Sequence, residues 1–321
     1  MTYILDQISG LFSRASIEPL PLSTMVGNNP LYADVLRLDA IHPVLSGNKL
    51  YKLYGYLQAL ADQKEVRAGD EPGALVTPGG AHSNHLHAVA AVGKWLGLQT
   101  VGLVRAYEAQ PMTPTLRDCR HWGMQLEFLD RKEYGLRYDD EWQTAQARKY
   151  QAWWVGEGGS GFNSRLGIEL LAPLCEGYDE VWLAVGSGTT ALALGSCLPD
   201  STRLVGINVV ADHGERQRHW QQHMPHMPWT LLETEHMGRF AALDDQGKAL
   251  IQEFDQLGLP LDPVYGVRLV RQFLEHGPIS AGSRCLLIHG GGLQGRRGYG
   301  LGWPMVGHHE PAFDFPPAVS A

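Results

Sequence analysis

Residues 180–197 read EVWLAVGSGTTALALGSC, and the fold turns on how they are read. Glu180–Val185 is an apolar run of strand length. Thr189–Cys197 is an apolar stretch of helical length, opened by a threonine. Between them, Gly186-Ser187-Gly188-Thr189-Thr190 joins strand to helix. Glycines let a backbone approach a phosphate, successive N–H groups cradle it, and the hydroxyls of Thr189 and Thr190 add donors. No Walker-type lysine follows, and the third glycine of a dinucleotide fingerprint is absent. A plain strand–helix turn has a similar sequence, so the loop needs support from elsewhere in the chain.

That support comes from the alternation on either side. Gly73–Thr77, Thr100–Val104, Gln125–Leu129, Trp153–Val155, Leu204–Val210 and Cys285–His289 read as strands. His82–Leu96, Thr115–Trp122, Asp139–Gln151, Phe162–Leu174, Ala241–Leu257 and Val267–His276 read as helices. Short strands alternating with longer helices predict an α/β protein of open, twisted parallel sheets with helices on both faces. Such sheets bind ligands at the carboxyl ends of their strands. The segment His213–His236 is rich in His, Gln, Pro and Trp. It is expected to be an irregular excursion with some helix, at a rim or an interface. The tail after Gly302 is also expected to be irregular.

Two further polar steps fall at element junctions. Residues 46–52 read Ser-Gly-Asn-Lys-Leu-Tyr-Lys, ahead of a helical run with Leu53, Leu57 and Leu60 inward. Gly47 and Asn48 tolerate the positive φ of a sharp entry. Lys49 and Lys52 are three apart and can face one site. A lysine becomes a nucleophile when burial or a neighbouring cation lowers its pKa, although the ordinary reading of such a lysine is a solvated helix start. Residues 79–85 read Gly-Gly-Ala-His-Ser-Asn-His. Ser83 can cap the helix or donate to an anion. Asn84 offers an amide to a phenolate oxygen, and His85 is a donor or proton carrier. His82, His85 and His87 do not share one helical face and have no carboxylate beside them in sequence, so no metal is expected. An amine, a carboxylate clamp and a phosphate loop together are what pyridoxal 5′-phosphate (PLP) chemistry on an amino acid requires.

Composition narrows the class. The chain has 321 residues, 44% hydrophobic and 19% charged, with a formal net charge of −8. That argues for a globular protein of about two domains and against nucleic acid or anionic membranes as partners. No apolar run reaches membrane-spanning length, and the N-terminus lacks a signal-peptide pattern, so a cytoplasmic location is expected. Cys119, Cys175, Cys197 and Cys285 are widely spaced, which fits buried, reduced thiols.

Beyond these readings, the chain resembles the 1-aminocyclopropane-1-carboxylate (ACC) deaminase / D-cysteine desulfhydrase family, within the tryptophan-synthase-β-like, fold type II PLP enzymes. The matching pieces are Ser46-Gly47-Asn48-Lys49-x-x-Lys52-Leu53, Gly80-x-x-Ser83-Asn84-His85, Gly188-Thr189-Thr190, Leu261-Asp262-Pro263-Val264-Tyr265 and Ile288-His289-Gly290-Gly291-Gly292-Leu293. The resemblance implies that Lys49, not Lys52, holds the cofactor. Asn84 resembles the partner of its phenolic oxygen, and residues Gly186, Ser187, Gly188, Thr189 and Thr190 resemble its phosphate loop. It places Ser83, Asn84, His85 and Tyr265 around the substrate, with Lys49, Ser83 and Tyr265 in catalytic roles. It implies two domains, a larger PLP-binding one of residues 1–52 and 166–321 and a smaller one of 53–165, in a homodimer. The activity implied is a PLP-dependent lyase or deaminase on a small amino acid, D-cysteine desulfhydrase-like β-elimination first. ACC deaminase activity, or PLP binding with little catalysis, is the alternative. A nucleotide-binding α/β protein that uses the same loops is a third reading.

Two positions depart from the family pattern. Family members carry Glu or Thr after the tyrosine, where this chain has Gly266, and many carry Thr after the histidine, where it has Gly290. By the resemblance both positions lie near the pyridine nitrogen, whose partner tunes the ring as an electron sink. Gly266 therefore counts against ring opening of ACC.

Overall fold

The computed structural model describes residues 2–21, 25–26, 29–30, 33–66, 73–107, 111–210, 212–234 and 237–304. Two sheets organise them. The six-stranded sheet runs in the order Ser16–Pro19, Ala33–Arg37, Cys285–His289, Glu180–Val185, Arg203–Asn208, Trp229–Glu233. All its neighbours are parallel except the edge strand Ser16–Pro19, which is antiparallel to Ala33–Arg37. The four-stranded sheet, Gln125–Leu129, Gln99–Arg105, Ala74–Gly80, Ala152–Trp154, is parallel throughout. A two-residue ribbon pairs Met25–Val26 with Asn29–Pro30.

Burial explains why the central strands are so apolar. Every residue of Cys285–His289 is buried, as strands covered on both faces must be. In Glu180–Val185, Trp182 packs with Ile251 and Phe254 of the Asp245–Gln256 helix and with Val267, Val270 and Phe273 of the Gly266–His276 helix. Val181, Leu183 and Val185 face the opposite way, toward Ala191 and Leu194 of the Thr189–Gly195 helix and Trp220 of the Glu215–His223 helix. The alternation along one strand thus puts helices on both faces.

The helices beneath the lysine turn touch backbone to backbone. Asn48–Val66 crosses Phe162–Ile168 at Gly55 and Gly167. A Cβ on Gly167 would stand 1.7 Å from the Tyr51 carbonyl oxygen, and one on Gly55 would stand 2.1 Å from that of Asn163. A second tie is ionic. Buried Asp118 accepts from His87 Nε2 at 3.0 Å and from Arg297 Nη1 at 3.2 Å, linking the Asn84–Leu96 and Pro114–His121 helices to the Leu293–Tyr299 turn.

Several expectations need correction. The first forty residues, read without elements, contribute the Thr2–Phe12 helix and the Ser16–Pro19 and Ala33–Arg37 strands. The expected Phe162–Leu174 helix ends at Ile168 and continues as a 3-10 segment to Cys175, with Pro173 inside it unable to extend an α-helix. The histidine-rich segment holds the expected stretch of helix, over Glu215–His223, but its described part also forms an edge strand over Trp229–Glu233. Cys197 is only partly buried, while the other three cysteines are buried. Most of the tail after Gly302 lies outside the described residues. Among the described residues no helix is long and apolar enough to cross a membrane.

Overpacking the glycine crossing is the sharpest test of this arrangement. Gly167→Ala is expected to cost at least about 1–3 kcal/mol, read as a lowered denaturant midpoint. An unchanged midpoint would mean that the two helices do not meet at this point.

Candidate active site

The carboxyl ends of Ala74–Gly80, Glu180–Val185 and Cys285–His289 deliver three loops to one cleft, and the lysine turn closes it. Gly47 has φ +76, and its N–H donates to Leu38 O at 2.7 Å. A Cβ there would stand 2.0 Å from the Gly290 carbonyl oxygen, so only glycine lets the two backbones meet. Asn48 ties the turn to both neighbouring loops. Its N–H donates to Gly290 O at 3.3 Å and its Nδ2 to Thr190 Oγ1 at 3.0 Å.

Lys49 and Lys52 then reach the same acceptor, the carbonyl of Gly158, at 3.3 and 2.9 Å. Lys52 is 1% exposed, and among the described residues neither amine has a carboxylate partner. Burial without a counter-charge pulls Lys49 down to about 8. Burial, with Lys49 beside it, pushes Lys52 well below the ordinary range. These are not solvated helix-start lysines. Gly158 sits in a short turn at φ +64. Its neighbour Glu157 anchors that turn by accepting from Tyr134 Oη at 2.5 Å, Tyr138 Oη at 2.6 Å and Arg137 Nε at 2.7 Å.

Ser83 caps the next helix, its Oγ accepting from the N–H groups of His85 and Leu86, both at 3.2 Å. Its hydroxyl hydrogen stays available as a donor. Asn84 Oδ1 accepts from Gln294 Nε2 at 2.6 Å, which fixes the amide and leaves Nδ2 as the free donor over Gly292. His85 is buried beside the lysines. Its Nε2 pairs with Thr77 Oγ1 at 2.9 Å, its Nδ1 has no partner among the described residues, and burial with two amines nearby holds it neutral. His87, by contrast, turns to Asp118, away from these groups.

Across the cleft, the Tyr265 ring covers Gly186, where a Cβ would stand 3.1 Å from Cε1 and 3.2 Å from the hydroxyl. Burial, with Asp262 and Glu157 nearby, pushes the Tyr265 phenol up. Asp262 orders this turn by accepting from the N–H groups of Val264, Tyr265 and Gly266 at 3.0, 2.8 and 2.5 Å. The two unusual glycines differ. A Cβ on Gly266 would meet Asp262 Oδ2 at 2.8 Å, whereas one on Gly290 would meet only Asn48 Cγ at 4.0 Å. Packing therefore requires glycine at the first position and not at the second.

The structure brings Lys49, Ser83, Asn84, His85, Tyr265 and the Gly186–Thr190 loop into one region. It places Lys52 beside Lys49, as their three-residue spacing allows, and adds Gly158 and Gln294, which the sequence reading did not assign to the site. Gln294 directly follows the glycine-rich motif, a signal available in the sequence. Nothing local marks a carbonyl such as that of Gly158 as an amine acceptor.

Known proteins bear on this geometry. No protein-family model matches the chain. A D-cysteine desulfhydrase from Yersinia pestis is 28% identical over 296 residues, covering 80% of this chain and 86% of the relative. A putative ACC deaminase from Thermotoga maritima is 27% identical over 308 residues, covering 87% and 96%. Among solved structures, an ACC deaminase homologue superposes with a TM-score of 0.75 at 22% identity, covering 91% of this chain and 97% of that one. An O-acetylserine-dependent cystathionine β-synthase from Helicobacter pylori superposes with a TM-score of 0.62 at 15% identity, covering 88% and 94%. The architecture is thus that of the tryptophan-synthase-β-like, fold type II enzymes. Within that class, the relatives most informative for this chain are named D-cysteine desulfhydrase and putative ACC deaminase, at 28% and 27% identity.

The buried amines set a pH signature. Both have folded pKa values below the unfolded 10.5, so the folded state binds fewer protons. The penalty is full below the folded values and fades as pH rises toward 10.5. Lys52→Met is expected to stabilise the cofactor-free protein by about 1–3 kcal/mol at pH 7. The gain should shrink toward pH 10, as urea melts would show. A gain independent of pH would mean that the amines are charged and solvated.

Proposed function

We propose that the chain is a PLP-dependent lyase that eliminates a β-substituent from a small amino acid, with D-cysteine as the leading substrate. The observation that carries the reading is Lys49, a desolvated amine with a pKa near 8 and no carboxylate partner among the described residues, set among three loops at strand ends. The residues present fit the cofactor. Lys49 Nζ would hold it covalently, and Asn84 Nδ2 would donate to its phenolic oxygen. The glycine-lined Gly186–Thr190 loop, with its hydroxyls, would receive its phosphate. PLP supplies an electron sink that acidifies the Cα–H of an amino acid joined to it.

The remaining groups account for the rest of the reaction. Lys49 Nζ, its pKa lowered to about 8 by burial, would accept the Cα proton of the substrate. The Ser83 hydroxyl and His85 bind the substrate carboxylate, and Ser83 is placed to pass a proton. Tyr265 covers the substrate and keeps water out, its phenol held protonated. The net change for D-cysteine is addition of water with release of hydrogen sulfide, ammonia and a 2-oxo acid.

The sheet arrangement supports the domain division, because every strand of the four-stranded sheet lies in residues 74–154 and every strand of the six-stranded sheet lies outside them. The reading carries with it a smaller domain of residues 53–165 and a cytoplasmic homodimer. A second reading, cofactor binding with little turnover, is favoured by the lack of any side chain at Gly266 and Gly290. It also makes ACC the weaker substrate.

The purified protein is expected to release sulfide and 2-oxo acid from D-cysteine, with Lys49→Ala slower by about 10²-fold or more. Absence of such release from every β-substituted amino acid of either hand, with PLP bound, would contradict the lyase and favour the second reading.

A further inference from the structure

The Glu215–His223 helix, in the histidine-rich segment, reaches the cleft with two side chains that the reaction above does not use. Its outer face carries the exposed rings of His219 and His223, 4.1 Å apart. Arg216 and Trp220, four residues apart and so on one face, look inward at the Gly186–Thr190 loop. Gly188 has φ +84, and a Cβ there would stand 2.8 Å from Arg216 Nη1 and 4.0 Å from Trp220 Nε1. Two donors from one helix therefore converge on the middle of the loop.

Both donors have capacity to spare. Trp220 is fully buried, yet among the described residues its indole N–H has no hydrogen-bond partner. An indole N–H can only donate, and an unmet buried donor is costly. Arg216 spends Nε on Asp212 Oδ2 at 3.2 Å, and Asp212 is itself fixed by the Gly214 N–H at 3.2 Å. That contact orients the guanidinium and offsets part of its charge. Among the described residues its Nη atoms have no partner, and its side chain is 15% exposed. Nearby, Ser187 Oγ and Thr189 Oγ1 lie 3.1 Å apart. An arginine fork with free Nη atoms, an orphaned indole N–H and two hydroxyls around a glycine suit a phosphate monoester.

We propose that Arg216 and Trp220 form the charged back wall of the phosphate subsite, Arg216 Nη1 and Trp220 Nε1 both donating to the cofactor's phosphate oxygens. This rests on the PLP reading and extends it to a segment that the sequence presents as a surface excursion. The wall would make the phosphate, more than the ring, the source of cofactor retention.

The test compares PLP with pyridoxal, which lacks the phosphate, as ligands of the cofactor-free full-length protein, read by absorbance titration. Wild type is expected to prefer PLP strongly. Arg216→Gln should weaken PLP about 10- to 100-fold, the range of a charge-assisted hydrogen bond, and leave pyridoxal unchanged. Arg216→Lys should recover part of the loss, and Trp220→Phe should lose several-fold. The ³¹P resonance of bound PLP should move in each variant. An unchanged PLP-to-pyridoxal ratio and ³¹P shift in Arg216→Gln would overturn the proposal and leave the PLP reading standing, as would equal losses of both ligands. Failure of wild type to bind either ligand would overturn both.

Discussion

Two amines share one backbone carbonyl in a cleft with no counter-charge among the described residues, and the rest of the structure is arranged around that fact. Lowering Lys49 from 10.5 to about 8 corresponds to about 3 kcal/mol against its charged form. Only a rigid surround sustains such a cost, because a mobile lysine would swing its ammonium to water. The acceptor is held as firmly as the donors. Gly158 O is fixed by the turn that Glu157 anchors through two tyrosines and an arginine. The lysines are fixed by a helix pressed against Phe162–Ile168 through Gly55 and Gly167. Packing, and not a general base, therefore raises the neutral fraction of the Lys49 amine near neutral pH.

Backbone contact recurs wherever the site is closed. Gly47 meets Gly290, Gly186 lies under Tyr265, and Gly292 lies under Asn84. A methyl group would collide at Gly47 and Gly292 and crowd Tyr265 at Gly186, and each place lies at a junction between a ligand-facing loop and the element that supports it. The side chains that do the chemistry are then oriented by a second set. Gln294 turns the Asn84 amide, Thr77 turns His85, and Asp262 shapes the turn that carries Tyr265. Each of these partners is polar and buried or half-buried, and Gln294, 210 residues from the amide it turns, is remote in sequence from the group it positions.

That remoteness decides what a reader of the sequence can see. The βα alternation from residue 73 to 289 is legible because buried parallel strands need apolar runs and their loops need glycine. The lysine turn, the Ser-Asn-His step and the phosphate loop are legible because each combines a backbone requirement with donors at one junction. The Ala33–Arg37 strand is not, because five residues beginning Ala-Asp carry no clear period, although the sheet buries three of them. The Trp229–Glu233 strand is hidden by its half-buried place at the sheet edge. Gly158 and Gln294 contribute through partners that only the folded chain supplies. Arg216 and Trp220 sit in a segment whose charged, aromatic composition resembles surface, and their inward face follows from the four-residue spacing only once the helix is known.

The central claim is that Lys49 is the amine that holds PLP, and the most direct measurement is borohydride reduction of the protein loaded with PLP, followed by peptide mapping. The account predicts a visible absorbance that reduction abolishes, with the reduced cofactor attached to Lys49 and to no other lysine. Label on Lys52, or a protein that stays colourless when PLP is added, would contradict it.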